Sequence, residues 1–355
     1  MLSPRDSVIG LKHGAGGPAM RSLIRQVFLG GGDGGGNNGA GGNGARAGEG
    51  GVPLAHLDDG AALRVGDRWL VVTTDSHVVH PVFFPGGDIG RLAVAGTVND
   101  LAMMGATDVL ALTCGVILEE GFPVAELERI QASMEATCAE AGAEIVAGDT
   151  KVMGRGEVDG IVLNTTGVAF TDRVVGDRGL TVGDRLLVTG TVGDHGLAVM
   201  AVRNDLGLEG DLRSDVAPLN RLIRAAMDAA GDDLVAMKDP TRGGLSSALH
   251  EMAEKAGVGI VLEEAAVPLR NEVRAAGELL GIDPLHVANE GKALLAVRPG
   301  AADAVLAALR AHPLGAEAAI VGTAVAERAG SVILDTGFGR RLLAEPEGEL
   351  LPRIC

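Results

Sequence analysis

The sequence predicts a two-domain α/β (α+β) chain in which mixed sheets are flanked by helices, followed by a flexible C-terminal tail. Three observations carry that expectation. At 355 residues and 46% hydrophobic content, the chain can bury more than one core. Strand-type and helix-type runs alternate along it, and glycine-rich turns follow the strands. The expected boundaries are 1–172 for the first domain, 173–340 for the second and 341–355 for the tail.

In the first domain, Gly30 to Gly51 is more than half glycine. Such a run has little to bury and a large backbone entropy to lose, which predicts a flexible insertion. It lacks the GxxxxGK[ST] pattern of a phosphate loop. Trp69–Thr74 reads as a strand ending at Asp75. Asp88 can cap a helix that runs through Leu92, Ala95, Val98 and Leu101 to a stop at Gly105. Leu110–Leu118 is a strand. From Val124, helical spacing of Leu127, Ile130, Met134, Cys138 and Ala141 ends at Gly142. Ile145–Ala147 then leads into a turn at Gly148-Asp149, and Ile161–Phe170 is another strand.

The second domain opens near Gly183-Asp184. Strands are expected at Leu186–Thr189, Gly259–Leu262, Ala293–Val297, Ala319–Val325 and Val332–Leu334, with a turn at Gly190–Gly196. Helices are expected from about Leu197, over Leu245–Ala256 and over Ala301–Ala311. The tail carries Pro346, Gly348 and Pro352 among glutamates, a poor helix and a poor central strand. Extended at ~3.3 Å per residue, it could reach roughly 35 Å from Glu345 onward. It ends in Cys355, which reads either as a tethered thiol on an arm or as a frayed terminus.

Composition excludes several classes. The net charge of -17 argues against nucleic acid or an anionic membrane as partner, and 2% aromatic content removes base-stacking platforms. No apolar run approaches the ~20 residues of a membrane span, and the N-terminus lacks the order of a secretion signal, which points to the cytoplasm. Cys114, Cys138 and Cys355 are too widely spaced for a zinc site or a disulfide framework. Cys114 and Cys138 fall within a strand and on an apolar helix face, as core thiols do.

The chemistry-bearing feature is a carboxylate repeated at strand ends and glycine turns. Asp58-Asp59-Gly60, Thr73-Thr74-Asp75, Val98-Asn99-Asp100 and Gly148-Asp149-Thr150-Lys151 all show it. Carboxylates from separate elements can converge on Mg²⁺ and a nucleotide triphosphate, although turn and cap chemistry also favours Asp singly. Asn99-Asp100 sits amid apolar residues, where unpaired charge is costly. Three turns could offer N–H groups to an anion: His13-Gly14-Ala15-Gly16-Gly17, Gly193-Asp194-His195-Gly196 and Asp239-Pro240-Thr241-Arg242-Gly243-Gly244. Arg242 suits a bidentate phosphate contact or a structural salt bridge. Glu290, in Ala288-Asn289-Glu290-Gly291-Lys292, reads as a half-buried base or as one half of a Glu–Lys pair.

Taken together, these segments resemble the HypE family of hydrogenase maturation proteins. That family belongs to the ATP-dependent superfamily of aminoimidazole ribonucleotide synthetase, selenophosphate synthetase and thiamine-monophosphate kinase. The resemblance also covers Phe83-Phe84-Pro85-Gly86-Gly87-Asp88, Gly96-Thr97-Val98-Asn99-Asp100 and, most specifically, the terminal Pro352-Arg353-Ile354-Cys355. It implies an aminoimidazole ribonucleotide synthetase-like fold and a homodimer built on the first-domain sheets. It implies that a carbamoyltransferase, HypF, loads a carbamoyl group on Cys355, and that ATP drives its dehydration to a thiocyanate. Cyanide would then pass to iron held by a HypC–HypD complex, for a [NiFe]-hydrogenase. By the same resemblance, Asp59, Asp75 and Asp100 would hold Mg²⁺. His13, Gly16, Gly17, Asn99, Asp149, Asp194 and Arg242 would hold ATP. Lys151 would neutralise the transferring phosphoryl group, and Glu290 would act as base. Arg353, a cation two residues before Cys355, could help steer the arm towards a negative cleft. The alternatives are a kinase or synthetase acting on a free small molecule, for which Cys355 would be dispensable, and a non-catalytic scaffold that binds no ATP.

Overall fold

A computed structural model describes residues 8–14, 17–29, 51–207, 210–346 and 353–355. The expected insertion at 30–51 therefore lies outside the described residues, except for Gly51. Helix α1 (Gly17–Leu23) precedes strands β1 (Ala61–Val65) and β2 (Arg68–His77) and a short hairpin of β3 (Phe83–Phe84) and β4 (Gly87–Asp88). Helix α2 (Ile89–Met103) follows, capped by the Asp88 carboxylate accepting from Arg91 N. Then come β5 (Val109–Glu119), α3 (Val124–Ala141), β6 (Ile145–Met153) and β7 (Ile161–Thr171). They form a five-stranded sheet in the order β1-β2-β7-β5-β6, antiparallel except for the β5/β6 pair. The α3 crossover dictates that one parallel pairing.

The turn expected at Gly148-Asp149 is instead mid-strand. β6 pairs with β5 without a break from Thr113↔Ala147 to Glu119↔Met153, so tertiary pairing overrides the local Gly-Asp turn signal. β6 is also the sheet edge, and every one of its residues after Ile145 is exposed.

The second domain comprises β8 (Arg185–Val188), α4 (Asp194–Arg203), α5 (Asn220–Ala230), β9 (Leu234–Lys238), α6 (Gly244–Ala256) and β10 (Gly259–Glu263). It continues with α7 (Asn271–Leu280), β11 (Leu294–Val297), α8 (Ala302–Arg310), β12 (Ala319–Val325), β13 (Val332–Asp335) and β14 (Arg340–Leu342). Its seven-stranded sheet runs β14-β13-β10-β12-β8-β11-β9. Since β14 spans Arg340–Leu342 and Leu343 is buried, ordered structure passes the expected limit at 340.

Apolar cores are shared between the domains. Ala102 and Met103 of α2 pack with Leu187, Leu219 and Leu295, and Val199, Val216 and Ala288 join the core beneath the first sheet. Among the described residues, no helix is long and apolar enough to cross a membrane.

The tail residues Arg353–Cys355 are seated rather than extended from the body. Cys355 O accepts from Val78 N (3.2 Å), Arg353 O accepts from His80 N (3.1 Å), and Ile354 is 4% exposed in the first-domain core.

Candidate active site

Three secondary-structure elements, three turns and the chain terminus meet in one cleft of about 360 Å³. β2 supplies Thr73 and Asp75, α2 supplies Asp100, and the turn before β1 supplies Asp58 and Asp59. β9 ends in Lys238 and Asp239, the next turn supplies Arg242, and the turn before β11 supplies Glu290. Cys355 also lines the cleft.

The turns that carry these groups are tied to one another. Asn289 Oδ1 accepts from Gly193 N (2.7 Å), while its Nδ2 donates to Pro240 O (3.1 Å) and Val287 O (3.0 Å). Gly291 is required beside Glu290, because a Cβ there would lie 1.8 Å from Asp215 O. Glu290 N donates to Asp215 Oδ1 (3.1 Å), and Lys292 Nζ pairs with Asp215 Oδ2 (3.0 Å). Lys292 thus belongs to Asp215, and the Glu290 carboxyl is left to the cleft.

Electrostatically the cleft is overloaded with acid. Burial, then Asp239, Asp75 and Asp215, hold the Glu290 carboxyl well above the usual carboxylate range, and its buried Oε1 has no hydrogen-bond partner among the described residues. Burial, followed by Asp239, Asp75 and Asp59, pushes Asp100 well up, against a 2.7 Å hydrogen bond from Thr73 Oγ1. Burial and Asp59 raise Asp239 to about 8, and burial, Asp177 and Asp59 raise Asp58 to about 7. Lys238 resists the downward pull of burial because Asp59, Glu251 and Asp177 surround it, and its Nζ lies 2.5 Å from Asp59 Oδ1. Arg242 is held above its ordinary value first by negative charge on Cys355.

Such a cleft suits hard cations. Asp59 Oδ1 is engaged by Lys238, but its buried Oδ2 has no hydrogen-bond partner among the described residues. Asp58 instead serves its turn, accepting from Asp59 N (3.1 Å) and Asp177 N (3.4 Å). Of the two, Asp59 is therefore the one open to a metal. Among the described residues no three groups form a ready-made metal cage. Mg²⁺ does not demand one, because it is commonly held by one or two carboxylates with substrate phosphates and water.

The cleft thus collects the expected residues Asp59, Asp75, Asp100, Arg242, Glu290 and Cys355. Asn99 is beside it but points between the domains: Nδ2 donates to Ala217 O (3.1 Å) and Glu290 O (3.2 Å), and Oδ1 accepts from Leu219 N (2.7 Å). The expected nucleotide contact is replaced by a structural one, since both amide atoms are committed to backbone. Asp194 is 2% exposed, accepts from Thr191 Oγ1 and faces Arg270 at 3.5 Å, outside the cleft. Asp149 and Lys151 pair with each other at 3.0 Å on β6, with side chains 70% and 68% exposed, away from their own chain's cleft. His13 is buried, with Nδ1 accepting from Gly10 N (2.9 Å), and Gly17 opens α1 against Pro346. Gly16 lies outside the described residues.

Sequence reasoning missed Lys238, Asp239 as a lining residue, and the pair Arg21 and Glu251. Arg21 of α1 bridges Glu251 (3.2 Å) and Glu345 (2.9 Å), and Glu251 in turn meets Lys238 at 3.4 Å. The available signal was Lys238 itself, a cation closing the apolar run Leu234–Met237 immediately before Asp239-Pro240.

Comparison with known proteins places this arrangement. Residues 57–171 match the family described as AIR synthase related protein, N-terminal domain, and residues 181–335 match its C-terminal domain. A carbamoyl dehydratase HypE from Azotobacter vinelandii is 46% identical over 359 aligned residues, covering 100% of this chain and 99% of that protein. A solved HypE–HypF complex aligns with a TM-score of 0.81 at 38% identity, covering 93% of this chain and 100% of that one. A HypE structure in complex with ATP aligns with a TM-score of 0.77 at 38% identity, covering 98% and 100%.

Proposed function

The chain belongs to the HypE family of carbamoyl dehydratases within the AIR synthase related proteins, and from that premise we propose how its own residues act. The reaction is the ATP-dependent dehydration of a carbamoyl group carried on Cys355, in hydrogenase maturation. The observation that carries this reading is the placement of the terminal cysteine in the acidic cleft, with Glu290 and Arg242.

The carbamoyl oxygen is a poor leaving group until it takes the γ-phosphoryl of ATP. Formation of the O–P bond and loss of one N–H proton give an O-phosphorylated adduct on sulfur and ADP. Cleavage of the C–O bond and loss of the second N–H proton then give S–C≡N and phosphate. Glu290 is the base for the adduct's N–H protons, because its carboxyl is anchored through its own backbone and opens to the cleft. Arg242 offers a fork to the phosphoryl oxygens, and Lys238 keeps a fixed positive charge beside Asp59. Asp59, Asp75 and Asp100 would hold Mg²⁺, which when bound supplies charge that lets these carboxylates ionise together beside a triphosphate.

Loading of Cys355 by HypF is supported by the solved complex of a HypE with HypF. A HypC–HypD complex would receive the cyanide, and the reaction would take place in the cytoplasm. We assign a homodimer to the β6 edge, where Val146 and Val152 are 58% and 67% exposed and the strand offers unpaired backbone groups. Asp149 and Lys151 would then serve the cleft of the second copy.

The test is mass spectrometry of the C-terminal peptide after incubation with carbamoyl phosphate, HypF, ATP and Mg²⁺. Cys355 should gain the mass of HNCO and then lose one water, and Cys355→Ala should do neither. An unmodified Cys355 in a turning-over mixture would sink the reading.

A further inference from the structure

His195, in the 193–196 turn, has no part in the reaction above, and it is completely buried. Its Nε2 faces Ile354 O, a carbonyl that can only accept, so the ring's hydrogen is on Nε2. Nδ1, 2.7 Å from Ser214 Oγ, then takes the hydroxyl hydrogen, while that oxygen accepts from Val216 N at 3.1 Å. Nε2 donates to Ile354 O at 2.8 Å, with Phe84 edge-on to the ring at 5.3 Å.

The same helix holds the tail a second time. Arg203, the last residue of α4, donates from Nη2 to Arg353 O (2.6 Å) and from Nε to His80 O (2.9 Å). Val199, between them on α4, shares a core with Ile354. Spacing of four residues puts 195, 199 and 203 along one side of the helix. Arg353 has a φ of 55°, left-handed for a side-chain-bearing residue, which the grip on its own carbonyl and on that of Ile354 must hold.

The hydrogen bonds from His195 Nε2 and Arg203 Nη2 to the tail, like those from Val78 N and His80 N, reach tail carbonyls. A grip on main chain does not depend on what the sulfur carries. We propose that His195 and Arg203 are positioning residues, a main-chain clamp on α4 that seats Cys355 in the cleft whether its sulfur bears hydrogen, carbamoyl or cyanide. Its seating function stands on geometry, and its kinetic consequence rests on the dehydration reading above.

The test compares the full-length wild type with His195→Ala, His195→Gln and Arg203→Ala in two measurements. One is the rate of Cys355 alkylation by iodoacetamide, read by peptide mass spectrometry, with the buried Cys114 and Cys138 reporting on folding. The other is single-turnover dehydration of Cys355 preloaded with carbamoyl, at saturating ATP, alongside ATP affinity. Each lost hydrogen bond should speed alkylation and slow dehydration by roughly two- to tenfold, with ATP affinity unchanged and Gln recovering much of the Ala defect. Unchanged rates in Arg203→Ala, or ATP affinity falling in step with dehydration, overturn the clamp. If Cys114 and Cys138 also react in the His195 variants, those have lost their fold and the half-buried Arg203 decides. Faster Cys355 alkylation in the variants, with no dehydration even in wild type, would keep the clamp and remove the reaction reading.

Discussion

Replacing Asp239 with Asn should make the apo protein less sensitive to alkaline pH. The Asp239 carboxyl is buried at 7% exposure among other acids, and burial and Asp59 raise it from 3.8 to about 8. Between those two values the folded chain holds a proton that the unfolded chain has released. Each unit of rising pH therefore favours unfolding by roughly 1.4 kcal/mol through this one group, and the whole window is worth on the order of 5 kcal/mol. The contribution is complete below pH 3.8 and is lost as pH approaches 8. Asn has no such proton, so the stability of Asp239→Asn relative to wild type should climb steadily from pH 5 to pH 8. Urea unfolding in EDTA, at fixed ionic strength, measures the difference through the midpoint and slope. Mg²⁺ with ATP should flatten the wild-type dependence, because ligand bound to the folded state favours the ionised cluster. A difference that stays constant across this range, or shrinks with pH, refutes the account of the cleft as a cluster of neutral acids awaiting cations.

Three further outcomes are expected. Glu290→Gln should slow single-turnover dehydration by about 10²- to 10⁴-fold and leave ATP affinity within a few-fold, since only a proton acceptor is lost; a rate within threefold of wild type removes Glu290 as the base. Asn99→Ala strips partners from Ala217 O, Glu290 O and Leu219 N, and at about 1 kcal/mol for each bond the folded state should lose roughly 3 kcal/mol in urea unfolding. Mixed dimers of Lys151→Ala with Glu290→Gln should regain dehydration that neither homodimer has. If Lys151 acts only within its own chain, mixing restores nothing.

Helices α2, α3, α4, α6 and α8 and strands β2, β5 and β7 were legible in sequence because local signals and tertiary packing agreed, whereas α1, α5 and α7 were not expected. Asp88 caps α2 where expected, and the apolar spacing from Val124 gives α3 with Gly142 as its left-handed stop. Cys114 and Cys138 are core thiols, 6% and 7% exposed. Neighbours that looked alike in sequence were harder to divide. Asn99 and Asp100 both read as site residues, but successive helical side chains diverge by about 100°, so Asp100 faces the cleft while Asn99 faces the other domain. Asp149 and Lys151 carry the expected residue types on an exposed edge strand, away from their own chain's cleft, so their part in the site was not legible from one chain's sequence. Lys238 was invisible because its meaning is its company, Asp59, Glu251 and Asp177, drawn from separate elements.

The cores shared between the domains have a kinetic consequence. Met103 packs into the second domain, Val199 and Ala288 pack into the first, and Asn99 stitches Glu290 to α2. Rotating one domain away from the other would tear all of these at once, which makes a breathing hinge a costly route for ligand traffic. Entry and exit are then set by the width of the mouth and by the residence time of the chain's own end. A covalent crosslink between the domains, placed away from the cleft, should leave turnover intact, whereas pinning the last three residues should stop it.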